Sequence, residues 1–200
     1  MSMEDRKIGF AMCGSFCTFS KVLPVVKSLT EMGANVYPLM SEMAYSTDTR
    51  FGKAEDFRDF LKVTTGNDII CTVKDAEPIG PKAYLDALVI APCTGNTLAK
   101  IANGITDSAV TMAAKANLRN KRPLIIAVST NDGLGANLRN IGMLMPKENI
   151  YFVPFGQDDY RGKPDSLISD MSEIIPALEA AFDSRQLQPV LYAHKKSACR

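Results

Sequence analysis

The sequence predicts an α/β fold: a doubly wound parallel sheet, covered by helices on both faces in three layers. Two observations carry this. Short apolar runs of strand length alternate with amphipathic stretches of helix length along the chain. Two of the runs, residues 87–91 (ALVIA) and 124–129 (LIIAVS), are apolar almost throughout, as strands covered on both sides are. A length of 200 residues, 46% of them apolar, is about one domain and ample for a buried core. That domain is expected over residues 1–184, with 185–200 as a flexible basic tail containing His194, Lys195 and Lys196.

Residues 7–12 (KIGFAM) read as the opening strand. A helix follows over 16–32, with apolar spacing at Val22, Val25, Val26 and Leu29, closed by Gly33 in the usual C-terminal position. Residues 35–40 (NVYPLM) form a second strand, and Pro38 inside it argues for its end or a sheet edge. A helix over 54–63 and a short extended piece around 69–73 come next. The strand at 87–91 is bounded by Pro92, and two helices, 97–103 and 108–117, are separated by Gly104 and Asp107. Pro123 launches the strand at 124–129. Residues 134–145 are expected to be helical and 150–153 a further strand. A final helix is expected over 166–182, its start marked by Asp165 and Ser166 as caps.

Bulk properties narrow the function. A net charge of +1 gives no nucleic-acid footprint. No apolar run approaches the roughly 20 residues that cross a bilayer, and the opening MSMEDRKIGF lacks the apolar core of a secretory signal, so a cytoplasmic protein is expected. The five cysteines lack paired zinc-ligand spacing, and no metal is expected. Trp is absent, and the single histidine, His194, lies near the end. That removes most His-based mechanisms, a compact Ser-His-Asp triad included.

Ligands of open α/β sheets bind beyond the carboxyl ends of the strands, near a topological switch point. The informative motifs all follow predicted strands. Cys13-Gly14-Ser15-Phe16-Cys17-Thr18 joins the first strand to its helix. Gly14 permits close backbone approach, and hydroxyls beside free helix N–H groups suit a phosphate, although an ordinary capped turn fits equally. This is not the G-x-G-x-x-G fingerprint, because the spacing differs and no acidic residue ends the second strand. Pro92-Cys93-Thr94-Gly95-Asn96-Thr97 offers neutral hydroxyl and amide donors. They suit an isoalloxazine ring or ribityl chain better than a metal; the alternative is a helix start with Thr97 serving the backbone.

From Thr94 the chain reads TGNTLAKIANGITD. This resembles the S-x-N-T-L-A-K-I-A-N-G-I-A-D signature of the homo-oligomeric flavin-containing Cys decarboxylase family, which includes phosphopantothenoylcysteine decarboxylases and flavin prenyltransferases. The similarity extends from the opening strand to about Phe182. Leu138-Arg139-Asn140-Ile141 is similar to the H-L-R-N-M segment of the prenyltransferase branch. The resemblance implies a Rossmann-like, flavodoxin-like fold, FMN as cofactor, and assembly into trimers or dodecamers. It also implies cofactor contacts from Gly14, Ser15, Phe16, Ser41, Thr94, Gly95, Asn96, Thr97 and Arg122. A guanidinium at a strand start can hold a phosphate bidentately, and a surface Arg beside Lys121 is equally compatible with the residues alone.

Departures from the family restrict the chemistry. The decarboxylase branch carries a His after the second strand, where this chain has Ser41-Glu42-Met43-Ala44-Tyr45, and a P-x-M-N-x-x-M-W loop, where it has Ser129-Thr130-Asn131-Asp132-Gly133. The prenyltransferase R-E-T-P is absent at the same loop, which removes a cation and a carboxylate. Asn131, Arg139 and Tyr160 remain as expected substrate contacts, the arginine because planar forks match carboxylates. No acid–base residue stands out. The whole-chain pattern resembles a branch from spore-forming bacteria that supplies the B subunit of a two-component oxidoreductase. This implies a separate A subunit, its partner, and a pyridine dicarboxylate as the small molecule. A non-catalytic scaffold that keeps the flavin fold is the alternative.

Overall fold

The computed structural model describes residues 3–192. Five strands run parallel: β1 (Lys7–Met12), β2 (Asn35–Met40), β3 (Ala87–Cys93), β4 (Leu124–Thr130) and β5 (Ile150–Phe152). Their order is β2-β1-β3-β4-β5, the flavodoxin-like order, with its switch point between β1 and β3. Side chains alternate across a strand, so each inner strand feeds two cores. Phe10, Val89 and Ile125 face one core, where they meet α1 (Phe19–Glu31). Ala11, Ile90 and Ile126 face the other.

The helices divide in the same way. Beside α1, the first face is covered by α3 (Ala54–Thr65) and α9 (Ile174–Phe182), the short α2 (Glu42–Ser46) adding Ala44. The opposite face takes α4 (Val73–Ala76), α5 (Ile79–Lys82), α6 (Gly95–Ala102), α7 (Ala109–Arg119) and α8 (Ala136–Leu144). The expected three-layer, doubly wound α/β fold is what forms. Phe10 and Phe152 are fully buried, and truncating either to Ala is expected to cost about 3–5 kcal/mol.

Local differences have tertiary causes. Pro38 sits inside β2, which is an edge strand, and Ile70 covers part of that edge: its N–H donates to the Pro38 carbonyl at 2.9 Å and its carbonyl accepts from Met40 N–H at 3.0 Å. Pro92 does not end β3. The strand continues to Cys93 with an irregular register against β4 between Ile90 and Cys93, as expected where a residue cannot donate to the ladder. The opening helix begins with a 3-10 turn, Phe16–Thr18.

The largest difference lies at 166–182. Instead of one helix, the chain forms β7 (Leu167–Ser169), then a 3-10 turn, Met171–Glu173, and only then α9. β7 pairs antiparallel with the end of β4 (Ser129↔Ile168) and with β6 (Phe155–Gly156). Sheet pairing outweighs helical periodicity here, and Asp170, not Asp165 or Ser166, caps the turn by accepting from Ser172 N–H. Gln186 takes the place of a neighbouring strand, accepting from Phe152 N–H at 2.8 Å and donating to its carbonyl at 2.7 Å. His194, Lys195 and Lys196 lie outside the described residues. No described helix is long and apolar enough to cross a membrane.

Candidate functional site

The carboxyl ends of β1, β3 and β4 open into two adjoining cavities at the switch point. The larger is a cleft of about 680 Å³ and the smaller holds about 410 Å³; Gly14, Phe16 and Thr94 line both. Turns after the strands build them, because a strand end leaves backbone and small side chains facing the same opening.

After β1, the chain turns at Gly14, where a Cβ would stand 3.5 Å from the Phe16 ring. Ser15 then lies with its hydroxyl 2.7 Å from that of Ser129 at the end of β4, closing the cleft floor. The Phe16 ring leans on Phe19 with centroids 5.2 Å apart, which fixes its position between the cavities. After β2, Ser41 lines the smaller cavity and caps α2, accepting from Ala44 N–H at 3.3 Å.

After β3, Thr94 caps α6 by accepting from Thr97 N–H. The helix therefore starts two residues earlier than its periodicity indicates, which points the first N–H groups of α6 at the opening. Thr97 is thereby freed from capping, and its hydroxyl donates to the Cys13 thiol at 3.3 Å. Burial pushes that thiol up to about 11, despite the Thr97 hydroxyl. Gly95 is needed for close packing: a Cβ there would lie 2.3 Å from Asn137 Nδ2 and 2.7 Å from Thr130 Oγ1.

After β4, Asp132 is held on the rim. Its Oδ1 accepts from the Thr130 hydroxyl at 2.6 Å and from Asn137 Nδ2 at 2.7 Å, and Asn137 in turn accepts from Asn140 Nδ2 at 2.9 Å. The Thr130 hydroxyl, with Asn137 assisting against burial, holds the Asp132 carboxyl below its ordinary value. On the same cleft burial raises Asp158, but the Ser166 hydroxyl, then the backbone N–H groups of Asp158 and Asp159, and last the Lys163 charge keep it below the ordinary value overall. In the smaller cavity Lys100 bonds Asp107 at 2.9 Å and holds that carboxyl down.

Most of the residues indicated by sequence come together. Gly14, Ser15, Phe16, Thr94, Gly95 and Asn131 line the larger cleft; Ser41, Asn96 and Thr97 line the smaller. Three do not. Arg122 stands before β4, at the amino end of the sheet, with its guanidinium 3.8 Å from Asp86; within one chain the length of β4 separates it from the cleft. Arg139 is exposed because α8 buries Asn137, Asn140, Ile141 and Leu144, which turns position 139 to solvent. Tyr160 is 47% exposed on the loop before β7, with the Arg161 guanidinium 5.6 Å from its ring centre, and lines neither cavity. Sequence reading missed Arg50, Phe51, Asp158 and Lys163, all of which line the larger cleft. The pair Arg50-Phe51 carried one signal, the Gly52 that follows it between the second strand and the helix at 54–63.

A 2-1-3-4-5 sheet with neutral donors and a helix N-terminus at its switch point defines a protein of the flavodoxin-like class. The chain belongs to the Flavoprotein family, whose model matches residues 1–154. Over 190 residues it is 45% identical to the B subunit of dipicolinate synthase from Bacillus subtilis (strain 168), covering 95% of each chain. The crystal structure of the dipicolinate synthase B subunit from Bacillus halodurans superposes with a TM-score of 0.89 at 45% identity, over 96% of this chain and 99% of that one. DmrB of Burkholderia xenovorans, solved in complex with FMN, shares the fold at 18% identity, with a TM-score of 0.66 over 90% of this chain and 97% of that one.

Proposed function

We propose that this chain is the B subunit of a dipicolinate synthase, a cytoplasmic protein of bacterial sporulation. In this reading it works with a separate A subunit to oxidise dihydrodipicolinate to dipicolinate. The observation that carries the proposal is the 45% identity to a relative of that name, across 95% of both chains. The oxidation removes two electrons and two protons from the ring. One proton leaves with the electrons as hydride, and the other needs a base.

FMN fits the donors of this site. The smaller cavity and its shared rim offer Gly14, Phe16, Ser41, Thr94, Asn96 and Thr97, with Ser15 and Gly95 on the adjoining floor. Hydroxyls, a backbone kept bare by Gly14 and the first N–H groups of α6 are suited to a ribityl phosphate and a ring edge. Bound there, a flavin supplies a hydride acceptor. The larger cleft adjoins through Phe16 and would hold the substrate beside it, with Asn131 on its rim. Asp132, ionised at neutral pH, is available to receive the proton. Homo-oligomerisation belongs to the same reading, supported by DmrB, whose structure is described as a cubic cage.

The test is to purify the chain with and without the A subunit, with and without added FMN, and to follow dipicolinate formation. Activity that requires both polypeptides supports the assignment. Full activity of the partner on its own, unchanged by this chain, overturns it. A protein that stays colourless after reconstitution removes the flavin from the proposal and favours a scaffold role.

A further inference from the structure

The larger cleft is lined by two cations, Arg50 and Lys163, that the family motif does not include, together with the carboxylates of Asp132 and Asp158. Arg50 and Phe51 are the central residues of a four-residue turn closed by Thr49 and Gly52, whose N–H groups and carbonyls exchange bonds of 3.0 and 3.1 Å. Phe51 N–H also donates to the Thr49 hydroxyl at 3.2 Å. Gly52 has a φ of +146°, and a Cβ there would stand 2.6 Å from the ring of Phe57, a core residue. The turn is therefore seated on the core, and it presents Phe51 at 47% exposure with the Arg50 guanidinium 4.8 Å from its ring centre. Among the described residues Arg50 has no ion pair.

The second cation stands on the loop before β7. Lys163 N–H donates to the Asp159 carbonyl at 2.7 Å, Gly162 N–H to Asp159 Oδ1 at 2.9 Å, and Gln157 Nε2 to the Pro164 carbonyl at 2.7 Å. This pinned loop sets Lys163 on the cleft with Asp158 beside it. Between the walls the floor is neutral: the Ser15–Ser129 hydroxyl pair and Thr130. Asp132, the remaining carboxylate on this cleft, already has one oxygen engaged by Thr130 and Asn137. Two separately anchored cations, a neutral donor floor and an exposed ring make a receptor for a flat molecule with two negative ends.

We propose that Arg50 and Lys163 are the specificity-determining pair of this site, each taking one carboxylate of a planar ring dicarboxylate whose ring lies against Phe51. This rests on the reading of the chain as part of a dipicolinate synthase and names how that substrate is chosen. Arg50 forms the bidentate contact, and Lys163, held on the cleft by the pinned loop, acts as the point charge.

The experiment measures equilibrium binding of dipicolinate and of the monocarboxylate picolinate to the full chain, and to the Arg50→Met, Arg50→Lys and Lys163→Met variants, each checked for an unchanged melting profile. The same variants are assayed for KM and kcat in the presence of the partner polypeptide, and for FMN affinity. Loss of one charge-assisted carboxylate contact is expected to weaken dipicolinate binding about ten- to a hundredfold. It should weaken picolinate by less, raise KM with kcat little changed, and leave FMN affinity as it was. Arg50→Lys should recover part of the loss. Dipicolinate binding that is unchanged in both Met variants overturns the proposal. So does a loss confined to FMN affinity, which would make Arg50 a cofactor-phosphate ligand. A wild-type chain that stays inactive beside its partner refutes the synthase reading, while the binding measurement still decides the role of the pair.

Discussion

The hydroxyls of Ser15 and Ser129, 114 positions apart in the chain, lie 2.7 Å from each other at the floor of the larger cleft. The bond joins the turn after β1 to the end of β4, across β3. A double-mutant cycle with Ser15→Ala and Ser129→Ala, read by denaturant unfolding, should give a coupling of about 0.5–1.5 kcal/mol. A coupling near zero would mean that the two turns hold their places without it.

Gly95 packs against a side chain that cannot easily move aside. Asn137 is fixed by Asp132 on one side and Asn140 on the other, and a Cβ at position 95 falls 2.3 Å from its amide. Gly95→Ala is therefore expected to destabilise by about 1–3 kcal/mol, in the manner of an overpacked core. Chemical denaturation measures it. A neutral result would show that α6 and α8 separate freely.

Asp132 carries a pH signature. Its carboxyl lies below the ordinary value because of the Thr130 hydroxyl and, after the opposing effect of burial, the Asn137 amide. A depressed carboxylate contributes stability that is fully present above the unfolded-state value and is lost as pH falls through the folded-state value. The contribution is thus intact at neutral pH and disappears only in the acid range below an ordinary carboxylate. Thr130→Val should raise the Asp132 titration midpoint, read by carbon NMR of the side-chain carboxyl. An unmoved midpoint would remove Thr130 as the main cause.

The cysteines should divide by burial. Cys13 and Cys93 are buried, and burial raises both thiols, whereas Cys17 is exposed on the cleft. Only a thiolate reacts quickly, so an alkylating reagent near pH 8 should modify Cys17 in the native chain and reach Cys13 and Cys93 only on unfolding. Peptide mass mapping would show it. Rapid native labelling of Cys13 would mean that the sheet end opens readily.

The fold was legible because its signals are local. Residues 87–91 and 124–129 announce covered strands by composition, and the position of α1 follows from the spacing of Val22, Val26 and Leu29. The motif turns were legible for the same reason: Gly14, Ser15, Thr94 and Gly95 follow strand ends, and strand ends of such sheets face one side. Residues 166–182 were not, since Leu167 and Ile168 satisfy a helical pattern while β4 and β6 offer them partners that only folding brings near.

The sequence by itself thus determined the layers, the strand ends that carry the site and the neutral donors at its floor. These depend on periodicity and on residues adjacent in the chain. The tertiary structure decided which charges face the cleft. It removed Arg122 to the far end of β4 and Arg139 to the solvent side of α8, and it brought in Arg50 and Lys163 from loops 113 residues apart. The physical reason is that a loop's direction depends on what it packs against, Phe57 beneath Gly52 in one case and the antiparallel β7 in the other.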